Sequence, residues 1–101
     1  MRLFVFFDLP TETQEDRRHY NQFRRGLIKN GFLMMQESVY CRMLVSPSAE
    51  KATVEAIRRI RPPKGLVQVL MVTEKQFSRM VFLTGESNSD VIDSDERLIF
   101  L

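Results

Sequence analysis

Asp8 closes the apolar run Leu3 to Phe7 and is followed at once by Leu9-Pro10. A carboxylate at the tip of a buried strand has two uses. It can accept backbone N–H groups in the turn ahead of the proline. It can also offer hard oxygen ligands to Mg²⁺, an ion held by one or two carboxylates together with waters and phosphate oxygens. In a dimer, one Asp8 per protomer suffices for that second use. A cation so placed readies a water and offsets the charge that builds on phosphorus during phosphodiester hydrolysis. Ser38 and Tyr40 flank a break between two apolar stretches, where they either position a phosphate or end strand pairing. Arg17, Arg18, Arg24 and Arg25 fall seven apart in two pairs, so a helix carries all four in one sector. Arg58, Arg59, Arg61 and Lys64 form a second cluster, with Lys75 and Arg79 beyond. Each cluster alone reads as a solvated face or as a phosphate tract. Three of them favour contact with a nucleic-acid backbone, which is salt-sensitive and blind to sequence.

The remaining reactive side chains point to no chemistry. His19 falls on the solvent side of its helix and has no Cys or His neighbour with which to share a zinc. Cys41 is the only cysteine, which excludes an intrachain disulfide, suits a reducing cytoplasm and reads as an inert core hydrophobe. Met34 and Met35 read as core or interface filler.

Length and charge bound the rest. A chain of 101 residues, 44% hydrophobic and 28% charged, is one globular domain small enough to gain from dimerisation. The net charge of +2 conceals an asymmetry. Residues 1–84 hold 14 Lys and Arg against 8 Asp and Glu, whereas residues 85–101 hold one Arg against five acids. A basic body favours a polyanionic partner. The apolar start is too short for a signal peptide or a membrane span.

These side chains need elements to carry them. Residues 3–7 predict a strand buried on both faces, because the run is continuous and does not alternate. The spacing Thr11 to Gln14 fits a capping box, and a helix follows to about Asn30, with Tyr20, Phe23 and Leu27 inward and Gly31 as its left-handed cap. Phe32 to Met35 is a second apolar run, broken by Gln36 to Ser38. Val39, Cys41, Met43 and Val45 then alternate with Tyr40 and Arg42, the pattern of a half-buried strand. Ser46-Pro47 starts a second helix that reaches about Ile60, with Val54, Ile57 and Ile60 inward, and the prolines after Arg61 stop it. Leu66 to Val72 reads as a strand. Thr73 to Gln76 is another capping box, opening a short helix with Phe77, Met80 and Val81 inward. Residues 85–95 read as an acidic, flexible segment and Leu98 to Leu101 as a terminal strand, both within the single domain whose ferredoxin-like part is residues 1–84. The class is α+β: a ferredoxin-like βαββαβ sandwich with an extra helix and edge strand. One sheet face is left uncovered, which favours a homodimer.

The blocks LFVFFDLP, EDRRHYNQFRRGLIKNGFLMMQESVYCRM, PPKGLVQVLMVTEKQF and DERLIFL, in this order and over nearly the whole chain, resemble the small CRISPR adaptation family of CRISPR-associated endoribonuclease or endonuclease 2, in its branch from type II systems. The resemblance implies a ferredoxin-like homodimer in which the two Asp8 carboxylates face each other and share a divalent cation. It also implies a terminal strand, here Arg97 to Leu101, added to the partner's sheet. Family arginines early in the first helix match Arg17 or Arg18, and a serine–aromatic pair matches Ser38 and Tyr40. One position departs. Met34 stands where many members carry an arginine implicated in cleavage, which weighs against hydrolysis and leaves binding untouched.

Two functions of different class follow. In one, the dimer binds duplex DNA through Arg17, Arg18, Arg24, Arg25, Arg58, Arg59 and Lys64 and bridges dimers of the CRISPR integrase during spacer acquisition. In the other, Asp8 with Mg²⁺ or another divalent cation, aided by Ser38 and Tyr40, hydrolyses RNA or DNA phosphodiesters. The alternative form of this reading is a small metal-dependent endoribonuclease of mRNA-interferase type that acts on single-stranded RNA independently of the integrase. A small-ligand regulatory domain would want a glycine-rich pocket loop, and the chain has only four glycines, well scattered.

Overall fold

The computed structural model describes residues 1–85. The elements run β1 (Arg2–Asp8), α1 (Gln14–Lys29), β2 (Leu33–Gln36), β3 (Val39–Met43), α2 (Ala49–Ile60), β4 (Leu66–Val72) and α3 (Glu74–Ser78). The four strands form one antiparallel sheet in the order β2-β3-β1-β4. With α1 and α2 as the crossovers, this is the ferredoxin-like arrangement expected from the sequence. The acidic segment from residue 86 onward and the terminal strand lie outside the described residues.

β1 is central and buried on both faces, as its unbroken apolar run requires. Leu3, Val5 and Phe7 point toward the helices and join Phe23 and Leu27 of α1 and Ile57 of α2 in the main core. Phe23 and Leu27 are almost wholly buried, and each such side chain contributes about 1.5–3 kcal/mol relative to exposure. Phe4 points the other way and meets Cys41 and Phe77 in a second cluster, against which Phe6, Met35, Val39 and Val72 pack.

That second cluster corrects the expectation of a bare sheet face. α3 folds back onto it, with the Phe77 ring 5.8 Å from that of Phe4. The buried Arg2 guanidinium lies 4.0 Å above Phe77 and its Nε donates to both Glu74 carboxylate oxygens at 3.0 and 3.1 Å. Cover is partial. Sheet pairing places Leu66 and Leu70 on the same face as Phe4 and Phe6, and both leucines stay about half exposed.

Local signals mostly land where the residue chemistry puts them, with small offsets. The cap of α1 is Thr13 with Asp16, not Thr11 with Gln14: the Thr13 hydroxyl accepts from the Asp16 N–H and the Asp16 carboxylate accepts from the Thr13 N–H. A carboxylate is the stronger acceptor at a helix start. Gly31 takes φ 86° after the helix, as its capping role requires. α2 begins after Ser48, while Ser46 and Pro47 form the preceding turn. The Thr73–Gln76 capping box is present with both reciprocal bonds. Val81 is exposed, and Phe82 packs on the sheet in its stead. β3 ends at Met43, so Met43 and Val45 are not core.

Candidate nucleic-acid and metal site at the tip of the first strand

Asp8 ends β1 with its side chain exposed. Its neighbours are set by pairing on both sides of the strand. Asp8 stands opposite Leu66 of β4, and the Phe7 N–H donates to the Ser38 carbonyl at 3.1 Å, which draws the β2–β3 turn alongside. From α1 the Tyr20 hydroxyl donates to the Glu37 carbonyl at 3.2 Å, fixing the same turn from above. The result is an open cleft of about 330 Å³ whose walls include Asp8, Thr11, Arg17, Asn21, Glu37 and Ser38.

Arg17 is aimed by the backbone beneath it. Its guanidinium donates to the Thr11 and Glu12 carbonyls, both at 3.1 Å. The same side chain lines a second, larger groove of about 560 Å³ along α1, together with Gln14, Glu15, Arg18, Asn21 and Arg25. Arg17 therefore joins a carboxylate-bearing cleft to an arginine-lined groove. The arrangement offers acidic and hydroxyl oxygens at one end and three guanidinium groups at the other, a polarity suited to an anion spanned by a cation.

The sequence-based candidates divide accordingly. Asp8, Ser38 and Arg17 come together, and Arg18 and Arg25 extend from them. Arg24 is half-buried and is not among the groove's lining residues. Arg58 and Arg59 occupy the last turn of α2, where cations oppose the helix dipole; Arg58 Nε also donates to Glu55 at 3.2 Å. Lys64 reaches Asp16 at 3.4 Å. Tyr40 does not reach the cleft at all. It is fully buried against Phe7, with ring centroids 5.7 Å apart, and its hydroxyl has no partner among the described residues. The alternation along β3 pointed Tyr40 outward, but Tyr40 stands beside Val5 on the face that the helices cover and joins the main core, while Cys41 lies on the opposite face against Phe4 and Phe77. Met34 is half-exposed on the β2 edge strand.

Glu37, Thr11 and Asn21 are members of the cleft that the sequence did not single out. Glu37 read as a strand breaker; the Phe7–Ser38 and Tyr20–Glu37 bonds, both long-range, bring it beside Asp8. Among the described residues no three His, Cys, Asp or Glu side chains cluster as a ready metal centre, so a cation here would draw on Asp8, with waters and phosphate oxygens completing its shell. Two groups have shifted protonation. The Asp16 carboxyl is held below the usual carboxylate range, first by the Thr13 backbone N–H; burial opposes this in second place, and the Thr13 hydroxyl and Lys64 add smaller downward pulls. Burial pushes the Cys41 thiol up to about 11, with Arg2 pulling the other way. That thiol is protonated and inert at neutral pH. No described helix is long and apolar enough to cross a membrane.

Strand order, a strand-tip carboxylate and an adjoining arginine groove define a class of protein: a small ferredoxin-like α+β domain with a polar cleft at the end of its central strand. The comparisons with known proteins make this specific. The family described as CRISPR associated protein Cas2 matches residues 1–80, and the chain belongs to that family. It is 46% identical over 101 residues, the full length of both chains, to a CRISPR-associated endoribonuclease Cas2 of Treponema denticola. It is 45% identical over 101 residues to the protein of the same name from Streptococcus mutans, covering all of this chain and 93% of that one. The crystal structure of Streptococcus pyogenes Cas2 at pH 6.5 superposes with a TM-score of 0.64 at 18% identity, covering 83% of this chain and 100% of that one, a likeness of fold.

Proposed function

We propose that this protein serves CRISPR adaptation in the cytoplasm as a homodimer that binds duplex DNA and bridges dimers of the CRISPR integrase. The observation that carries this reading is the continuity, through Arg17, between the Asp8 cleft and the groove lined by Arg18 and Arg25. Three guanidinium groups along one helix track a phosphate backbone without reading bases. The half-exposed Leu66 and Leu70, on the Asp8 side of the sheet, supply apolar surface for a partner protomer. A face-to-face dimer built there brings the two Asp8 tips toward one another, where they share one Mg²⁺.

A second reading is favoured by Glu37, a further carboxylate in the cleft, and by the relatives' name of endoribonuclease. In it the Mg²⁺ at Asp8 activates water against an RNA phosphodiester, independently of the integrase. Spacer acquisition in cells carrying Asp8→Ala, with a cleavage assay beside it, separates the two. Undiminished acquisition supports the scaffold, which needs no cleavage, and its loss with the dimer intact counts against it. Mg²⁺-dependent RNA cleavage by the purified wild type that Asp8→Ala abolishes supports the nuclease.

A further inference from the structure

The linker between α2 and β4, residues 61–65, is pressed onto the two elements that carry the cleft. Lys64 Nζ lies 3.4 Å from Asp16 Oδ1, while Asp16 Oδ2 accepts the Thr13 N–H at 3.2 Å. Asp16 is only 6% exposed. One residue further on, Gly65 has φ 95°, and a Cβ at that position would fall 2.7 Å from the Asp8 carbonyl oxygen and 2.6 Å from Leu9 Cδ2. The crevice between these contacts, walled by Leu9, Pro10, His19, Pro62 and Pro63, holds about 10 Å³, no more than one water needs. The linker is thus in direct contact on both sides, and its two prolines fix φ and stiffen it.

What stands beside each contact gives the linker a purpose. Arg17, next to Asp16, lines the cleft; Leu66, next to Gly65, pairs with Asp8 in the sheet. We infer that Lys64 is a positioning residue: through Asp16 it braces the start of α1 against the tip of β1 and so sets the spacing between Arg17 and Asp8. This replaces the phosphate contact that the sequence suggested for Lys64. The functional consequence rests on the proposed duplex binding at the cleft; the brace itself does not.

The two roles of Lys64 predict opposite signs for Asp16→Asn, which keeps an acceptor for the Thr13 N–H but removes the charge. If Lys64 contacts phosphate, losing its carboxylate partner frees it and tightens duplex binding. If Lys64 braces, the cleft loosens and binding weakens. The test measures binding of a fluorescent DNA duplex and amide hydrogen exchange over residues 8–17, in wild type, Asp16→Asn, Lys64→Met, the double variant and Lys64→Arg. The brace predicts that each single loss weakens binding up to about five-fold, the scale of one ion pair. The double variant should be no worse than either single one, and Lys64→Arg should restore both readouts. Exchange should quicken over residues 8–17 and stay unchanged in β2 and β3. Tighter binding by Asp16→Asn, or unchanged exchange in Lys64→Met, overturns the inference. If wild type binds no duplex, the proposed function fails and exchange alone decides the brace: quickened in Lys64→Met and restored in Lys64→Arg supports it, unchanged refutes it.

Discussion

Tyr40→Phe separates a catalytic tyrosine from a core one. The Tyr40 side chain is fully buried, packed beside Phe7 at 5.7 Å, and its hydroxyl is unpaired among the described residues. An unmade hydrogen bond on a buried polar group costs about 1–3 kcal/mol. Replacing the hydroxyl by hydrogen keeps the ring and its packing and breaks no bond. The small void left behind takes back part of the gain, so the variant should be more stable by about 1 kcal/mol. For a domain of this size that raises the melting temperature by about 4–8 °C. Urea titration and calorimetry read the two numbers independently, and any phosphodiester cleavage by the wild type should persist in the variant. Tyr20→Phe is the matching control, because its hydroxyl does make a bond, to the Glu37 carbonyl. It should lose stability, by about 0.5–1.5 kcal/mol. A Tyr40→Phe protein destabilised by more than about 1 kcal/mol would show that the hydroxyl is satisfied in solution. Cleavage lost from a folded Tyr40→Phe protein would return the residue to the site.

Other perturbations test the frame around the cleft. Because the folded state holds Asp16 ionised below its ordinary range, its contribution is complete above the unfolded value near 3.9 and is lost as pH falls through the lower folded value. The acid limb of a melting-temperature profile should therefore be shallower in Asp16→Asn than in wild type, and identical limbs would refute the assignment. Glu74→Ala removes the carboxylate whose two oxygens accept from Nε of the buried Arg2 and should cost about 1–3 kcal/mol in a urea titration, less than a fully buried pair because Glu74 is partly exposed. An unchanged midpoint would mean that α3 is held by Phe77 alone.

Much of this architecture is legible in the residue order. An unbroken apolar run from Leu3 to Phe7 can only be a strand covered on both sides, and it is. Thr73 and Gln76 form their capping box because the motif is local and needs nothing from elsewhere. The offset at the cap of α1 is local, a choice between two acceptors; the larger errors originate in long-range packing. Tyr40 and Cys41 both follow an alternation, but alternation says which residues share a face and not whether the other face is covered. The face of Tyr40 is covered by α1 and α2, where it joins the main core; that of Cys41 is covered by α3, through an Arg2–Glu74 contact spanning most of the described chain. The site was partly legible for the same reason. Asp8 stands out because a carboxylate at the end of a core strand is conspicuous, whereas Glu37 joins it only through long-range hydrogen bonds from Phe7 and Tyr20 to its turn. Lys64 looked like its basic neighbours until the fold brought Asp16 to it.

The measurement that bears most directly on the proposed function is the salt dependence of duplex binding. Wild type, an Arg17→Gln/Arg18→Gln/Arg25→Gln variant and an Arg58→Gln/Arg59→Gln variant are titrated with one DNA duplex at several salt concentrations. If the α1 groove holds the phosphate backbone, the log–log slope should fall by about 0.9 for each groove arginine removed, while the α2 variant keeps the wild-type slope. An unchanged slope in the groove variant, with its fold intact, would contradict the account.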